Sequence, residues 1–266
     1  TRILITNDDG VYSEGLRLLA RALAPLAEVT VVAPDREQSA TGHSLTLNRP
    51  LRLQKIEENW YAVDGTPTDC VNLAVLWLLK DRKPDLVVSG INFGLNLGDD
   101  VNYSRTVSAT FEGTLLGIPS VAFSQEIAEG YSFERAAAFA GRFIAELLSA
   151  SLRPDLLLNV NLPAGELLGL SFTRLGRRVY QQVVVEKEDP RGRKYYWIAG
   201  TPEWQSDSGT DTGPPCGDVV NGGLAITEVS SPDDGPAMTG GTLVDVVQHL
   251  AADLAADAIT GAPGAS

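Results

Sequence analysis

Five short apolar runs, at 2–6, 29–33, 86–89, 118–123 and 156–161, each stop at a polar or glycine-rich turn and alternate with longer segments of helical period. Strands that are apolar throughout, rather than on alternate residues, belong to a sheet covered on both faces. The pattern therefore predicts an α/β chain with a mostly parallel sheet and helices on either side. Leu16, Leu19, Ala20, Leu23 and Leu26 fall on one face of a predicted helix over 15–26. Thr66, Pro67 and Asp69 read as a helix start, with Thr66 at the N-cap, Pro67 in the first helical position and Asp69 returning to the cap amide. That helix runs to about residue 79, and a third, rich in Ala and Leu, covers 135–148.

Beyond about residue 163 the character changes. Runs at 170–175, 179–186, 195–198 and 224–229 predict further strands joined by long polar loops. The Gly- and Pro-rich stretch 206–223 is too poor in apolar side chains to pack by itself, and is expected to be a loop or an arm that orders against a partner. Leu243, Val246, Val247, Leu250 and Leu254 give helical spacing over 242–258, before a Gly-Ala-Pro-Gly tail expected to fray.

Charge narrows the partners. Asp and Glu number 34 against 21 Lys and Arg, a formal net charge of −13, which disfavours nucleic-acid duplexes and anionic membranes. Any phosphate handled by such a chain must meet a local positive centre. No apolar run approaches the roughly 18 residues that span a bilayer. The first residues already read as strand and turn rather than as a signal peptide. Cys70 and Cys216 stand in no CxxC arrangement, so neither a disulfide framework nor a zinc site is suggested, and a cytoplasmic location is expected.

Ligands of an open parallel sheet bind beyond the carboxyl ends of its strands. Three turns there are rich in polar residues: Thr6-Asn7-Asp8-Asp9-Gly10, Pro34-Asp35-Arg36-Glu37-Gln38-Ser39, and Ser89-Gly90-Ile91-Asn92-Phe93-Gly94-Leu95-Asn96. Adjacent carboxylates at a strand end repel one another, and desolvation makes this worse, so Asp8 and Asp9 call for a divalent cation. Donors limited to carboxylate, hydroxyl and amide oxygens favour Mg²⁺ or Mn²⁺. The competing reading is that the two acids cap the helix that starts near Gly15. Ser39, taken alone, is an ordinary turn residue. His43 is either a base or a hydrogen-bonded loop histidine. Gly90, Gly94 and Gly98, with Asn92 and Asn96 between them, suit a loop whose backbone approaches a ligand closely. Ser104, Thr106 and Ser108 precede a helical stretch, where hydroxyls and free amides either hold a phosphate or simply cap the helix.

Together, ITNDDG at 5–10, VVAPDREQSATGHSLT at 31–46, YAVDGTPTDCV at 61–71, LVVSGINFGLNLGDDV at 86–101 and YSRTVSAT at 103–110 resemble the SurE family, the survival protein E nucleotidases. The likeness continues through LLNVNLP at 157–163, TRLGRR at 173–178 and DPRGRKYYWI at 189–198, and so covers nearly the whole chain in order. It implies a metal-dependent phosphomonoesterase acting on nucleoside 5′- and 3′-monophosphates, with one divalent cation per subunit. Asp8, Asp9, Ser39 and Asn92 would be the metal ligands, Asp8 and Asp9 the catalytic carboxylates, and Asn96, Ser104 and Thr106 the contacts to phosphate. It also implies a Rossmann-like core over 1–165 and a β-rich extension over 166–240 that exchanges arms in a homodimer or homotetramer. A helix over 241–259 and a frayed tail over 260–266 complete the expected organisation. One departure stands out: the family usually has Gly where this chain has Arg105.

On this reading a water activated at the metal or by Asp8 or Asp9 attacks phosphorus in line, or, alternatively, an aspartate is the first nucleophile. Two rivals share the paired acids. A receiver module would need a phospho-accepting Asp after the third strand, where Ser89-Gly90-Ile91-Asn92 stands instead, and the chain is about twice receiver length. A nucleotide-binding scaffold without turnover is the other.

Overall fold

The computed structural model describes residues 1–38, 42–129, 131–165, 169–173, 178–180, 183–199, 202–204 and 223–229. In chain order the strands are β1 (Arg2–Thr6), β2 (Glu28–Pro34), β3 (Leu53–Glu57), β4 (Trp60–Val63), β5 (Leu86–Phe93), β6 (Ser120–Gln125) and β7 (Leu157–Leu162). They are followed by β8 (Gly169–Thr173), β9 (Arg178–Tyr180), β10 (Val183–Glu188), β11 (Lys194–Ala199), β12 (Pro202–Trp204) and β13 (Gly223–Glu228). Nine of them form one sheet in the order β3-β4-β2-β1-β5-β6-β7-β13-β8. β4, β2, β1, β5, β6 and β7 run parallel, while β3 and β13 pair antiparallel with β4 and β7. The sheet thus draws its last two strands from beyond residue 165.

Helices cover both faces, as the apolar-throughout strands predict. On one side α1 (Glu14–Leu23) and α4 (Phe133–Ser149) bring Leu16, Leu19, Leu23, Phe139 and Phe143 against Ile3, Ile5, Val31 and Val88. On the other lie α2 (Pro67–Leu73), which continues as a π-helical turn over Ala74–Leu78, and α3 (Arg105–Leu115). There Cys70, Val71 and Ala109 meet Leu4, Val32 and Val87. Neighbouring residues of β1 therefore enter different cores, and both must be apolar. Truncating one of the buried leucines of either core, such as Leu4 or Leu16 to Ala, costs about 2–5 kcal/mol in lost contacts and cavity.

The start of α2 follows the predicted capping box: Asp69 N donates to Thr66 Oγ1 at 3.0 Å and Thr66 N to Asp69 Oδ2 at 2.8 Å. The third strand differs from expectation. Rather than ending at Ser89, it runs on to Phe93 and takes Gly90, Ile91 and Asn92 into the sheet, with its register against β6 shifting between Ser89 and Asn92. Gly90 makes this possible: its φ is +137°, and a Cβ there would lie 2.5 Å from the Phe123 carbonyl oxygen. The single run expected at 179–186 is instead two strands, β9 and β10. The β3–β4 hairpin was not anticipated, because only Ala62 and Val63 among its residues are buried and its apolar pattern is correspondingly weak. No described helix is long and apolar enough to cross a membrane. The expected helix over 242–258 and the tail lie outside the described residues, as do Cys216 and almost all of 206–223.

Candidate active site

β1 delivers the chain to the carboxyl edge of the sheet, where it turns at once. The buried Asn7 closes that turn, its Nδ2 donating to the Gly10 carbonyl at 3.2 Å and to Ser13 Oγ at 2.6 Å. Gly10 has φ +99°, and a Cβ on it would come within 3.1 Å of the Arg36 backbone. The turns after β1 and β2 are therefore pressed together, and Val11 N donates to Pro34 O at 2.8 Å and Gln38 N to Asp8 O at 2.9 Å. α1 begins at Glu14 with Ser13 in the N-cap position, so Asp8 and Asp9 do not cap it.

The pair is electrostatically frustrated. Burial drives the Asp8 carboxyl above its ordinary pKa, opposed by a hydrogen bond from Thr106 and by the charge of Arg105. Asp9 is pushed up to about 7, first by burial and then by Asp8 and Glu37, while the Phe93 backbone amide, donating to it, pulls the other way. That amide belongs to the end of β5. One residue earlier, Asn92 Nδ2 donates to the Gly94 carbonyl at 2.8 Å, which commits the donor end of its amide and leaves the oxygen as the end suited to a cation. Among the described residues no three His, Cys, Asp or Glu side chains gather as a metal cluster. A cation at Asp8 and Asp9 would complete its shell with amide, hydroxyl or water oxygens, which fits Mg²⁺ or Mn²⁺ better than zinc. Ser39, the fourth expected ligand, lies outside the described residues.

α3 aims its N-terminus at the same spot. Ser104 is its N-cap, taking Val107 N on its hydroxyl at 3.2 Å and Ser108 N on its carbonyl at 3.0 Å. The amides of Arg105 and Thr106 head the helix, with no residue of the same helix available to accept from them. Thr106 Oγ1 donates to Asp8 Oδ1 at 2.6 Å. Asn96 is held elsewhere, over the ends of β6 and β7. Its amide N donates to Asn161 Oδ1 at 2.9 Å, its carbonyl accepts from Asn159 and Asn161 at 2.8 and 3.0 Å, and its side chain donates to Ser124 Oγ at 2.7 Å. Thus Thr106 reaches the carboxylate pair directly, Ser104 caps, and Asn96 is clamped one and two strands away.

Asn159 and Asn161 were not singled out from sequence, although two buried asparagines in an otherwise apolar strand are the signal that would have found them. Phe93 and Tyr131 were also missed. Their rings meet edge to face at 5.6 Å, both exposed, next to Asn92. His43 is a hydrogen-bonded loop histidine: Nε2 lies 3.0 Å from Glu112 Oε2, and Asn72 Nδ2 donates to the other Glu112 oxygen at 2.6 Å.

A family model described as survival protein SurE matches residues 3–182. The protein called 5′-nucleotidase SurE from Myxococcus xanthus is 55% identical over 201 residues, covering 75% of this chain and 77% of its own. Its namesake from Geobacter sulfurreducens is 53% identical over 214 residues, covering 79% and 81%. Among solved structures, the crystal structure of a SurE protein from Aquifex aeolicus matches with a TM-score of 0.77 at 41% identity, covering 92% of this chain and 100% of the other.

Proposed function

This chain belongs to the SurE family, and from that premise we propose that it is a divalent-metal-dependent phosphomonoesterase that hydrolyses nucleoside 5′-monophosphates, and 3′-monophosphates as well, to nucleoside and phosphate. The observation that carries the reading is the half-buried pair Asp8 and Asp9 at the end of β1, both with raised pKa and one held by the first turn of α3. Asp8, Asp9, Asn92 and Ser39 hold one Mg²⁺ or Mn²⁺, which supplies charge neutralisation and Lewis acidity for a phosphoryl oxygen.

The protein's own groups do the rest. Thr106 fixes the orientation of Asp8. A carboxylate of the pair takes the proton of the water that attacks phosphorus. Charge on the phosphoryl oxygens is met by the leading amides of α3, the Thr106 N–H among them, and by the Ser104 hydroxyl, while the Thr106 hydroxyl stays on Asp8. The Phe93–Tyr131 edge offers a nucleobase an aromatic surface beside the metal site. The β10–β11 hairpin stands outside the main sheet and exposes Tyr195, Tyr196 and Trp197, which supports its use as an arm between copies in a homodimer or homotetramer.

The test is a phosphate-release panel over nucleoside 5′- and 3′-monophosphates and glycerol phosphate with Mg²⁺, Mn²⁺ or excess EDTA, run on the wild type and Asp9→Asn. Turnover of nucleotides that needs metal and vanishes in the variant is expected. Full activity in EDTA or in Asp9→Asn defeats the reading.

A further inference from the structure

Arg105, where the resemblance to the family implies a Gly, does not point to solvent. It is the first residue of α3 and is only 6% exposed. Among the described residues its guanidinium makes one hydrogen bond, from Nη1 to Gln38 Oε1 at 2.8 Å. Its charge acts on Asp8, yet the hydrogen bond Asp8 accepts at Oδ1 comes from Thr106 rather than from Arg105. Gln38 is itself tied to Asp8, its backbone N–H donating to the Asp8 carbonyl. The guanidinium is therefore wedged between the turn after β2 and the carboxylate pair. There its Nε is buried with no hydrogen-bond partner among the described residues.

A buried, charged donor left unpaired is costly, and more so than a neutral one. The chemistry of the vacant donor says what would relieve it: a planar N–H on a permanent cation selects an anionic oxygen, and guanidinium–phosphate contacts are among the strongest charge-assisted hydrogen bonds. Gln38 fixes the fork in place. The neighbouring amides of Arg105 and Thr106 present further donors from the same helix turn. In a chain of net charge −13, this buried cation is also the local positive centre that a phosphate approaching Asp8, Asp9 and Glu37 requires.

We propose that Arg105 binds the phosphoryl group in this site, its Nε–H donating to an oxygen of the bound phosphate monoester and, after hydrolysis, of inorganic phosphate. The inference rests on the phosphomonoesterase reading and assigns to this chain a side-chain contact that a Gly at the same position cannot make. It also places a fixed positive charge beside Asp8, where it competes with the metal. Loss of Arg105 should therefore weaken phosphate binding while leaving divalent-cation binding equal or tighter.

The experiment is calorimetric titration of inorganic phosphate in excess EDTA, and separately of Mn²⁺, into the wild type, Arg105→Gly and Arg105→Gln. KM and kcat for a nucleoside monophosphate are measured in parallel. Arg105→Gln keeps a polar, helix-compatible side chain while removing the charge, and guards against a folding defect in the glycine variant. The expected result is phosphate affinity lower by about tenfold or more in both variants, with a raised KM and no loss of Mn²⁺ affinity, as one strong charge-assisted contact implies. Turnover in the wild type together with unchanged phosphate affinity and KM in both variants overturns the inference alone. Absence of turnover on every nucleoside monophosphate overturns the functional reading and this inference with it.

Discussion

Thr106 Oγ1 donates to Asp8 Oδ1 at 2.6 Å, joining residues 98 positions apart and fixing the head of α3 to the turn after β1. The hydroxyl does two things for Asp8. It orients one carboxylate oxygen, and it stabilises the charged form against the burial that opposes it. Thr106→Val keeps the shape and removes the donor. A hydrogen bond to a charged group contributes about 1.5–3 kcal/mol, so kcat/KM is expected to fall roughly 10- to 100-fold, with weaker Mn²⁺ binding by calorimetry and a Tm lower by about 3–10 °C. Wild-type Mn²⁺ affinity and rate in this variant would show that the contact is incidental.

The raised pKa of Asp9 predicts how the metal-free fold responds to pH. A carboxyl that holds its proton more tightly when folded favours the fold below its ordinary 3.8, and that contribution is lost as pH rises through about 7. In EDTA, the Tm of the wild type should fall relative to that of Asp9→Asn across this window, and the variant should be the more stable of the two near neutral pH. Mn²⁺ should raise the wild-type Tm most at the upper end and the variant's very little. Parallel Tm curves for the two proteins from acid to neutral pH would falsify the electrostatic account of the pair.

Particular residues show why the architecture was more legible than the site. β1 could be read directly, because Ile3, Leu4 and Ile5 are all buried and alternate between two cores. The Thr66–Asp69 capping box could be read because its hydrogen bonds are local in sequence. Asn96 could be marked as polar and close to glycines, but its clamp comes from Asn159 and Asn161, some 63 and 65 residues away, and no local pattern records that. The path of β5 was hidden for another reason. Gly90 is a turn signal in sequence, yet here the glycine serves a bulge inside the sheet, where the Phe123 backbone leaves no room for a side chain. Arg105 was visible as an oddity, but its burial against Gln38 depends on how the turn after β2 folds over α3.

His43 tests whether a histidine near the site must act in the chemistry. It bonds to Glu112 on α3, and Asn72 from α2 holds the other oxygen, so the trio anchors the loop after β2 to the two helices beneath it. His43→Ala removes a partly exposed contact of about 0–1 kcal/mol. It is expected to leave kcat within about twofold and to lower Tm by no more than about 4 °C. Glu112→Ala should destabilise more, by about 1–3 kcal/mol, because it strips a buried acceptor from Asn72. A hundredfold loss of kcat in His43→Ala at unchanged Tm would restore it as a catalytic base.

Among the described residues the β10–β11 hairpin pairs with no other strand. Its six register pairs, Val183 with Ala199 through Glu188 with Lys194, form a sheet of two strands only, and such a hairpin is marginal in water unless a face is covered. Tyr195 and Trp197 lie on one face and Tyr196 on the other, and all three are exposed. Aromatics of this size on both sides of a lone ribbon suit burial against another copy. Each would gain about 1.5–3 kcal/mol from it. Replacing Tyr195 and Trp197 together with Glu is therefore expected to weaken self-association by well over tenfold and to shift the mass by light scattering toward the monomer. Metal-dependent phosphate release should persist, since no hairpin residue touches the carboxylate pair among the described contacts. If the wild type already runs as a monomer at high concentration, or the doubly substituted protein keeps the wild-type mass, the hairpin is not the arm and its aromatics must serve another surface.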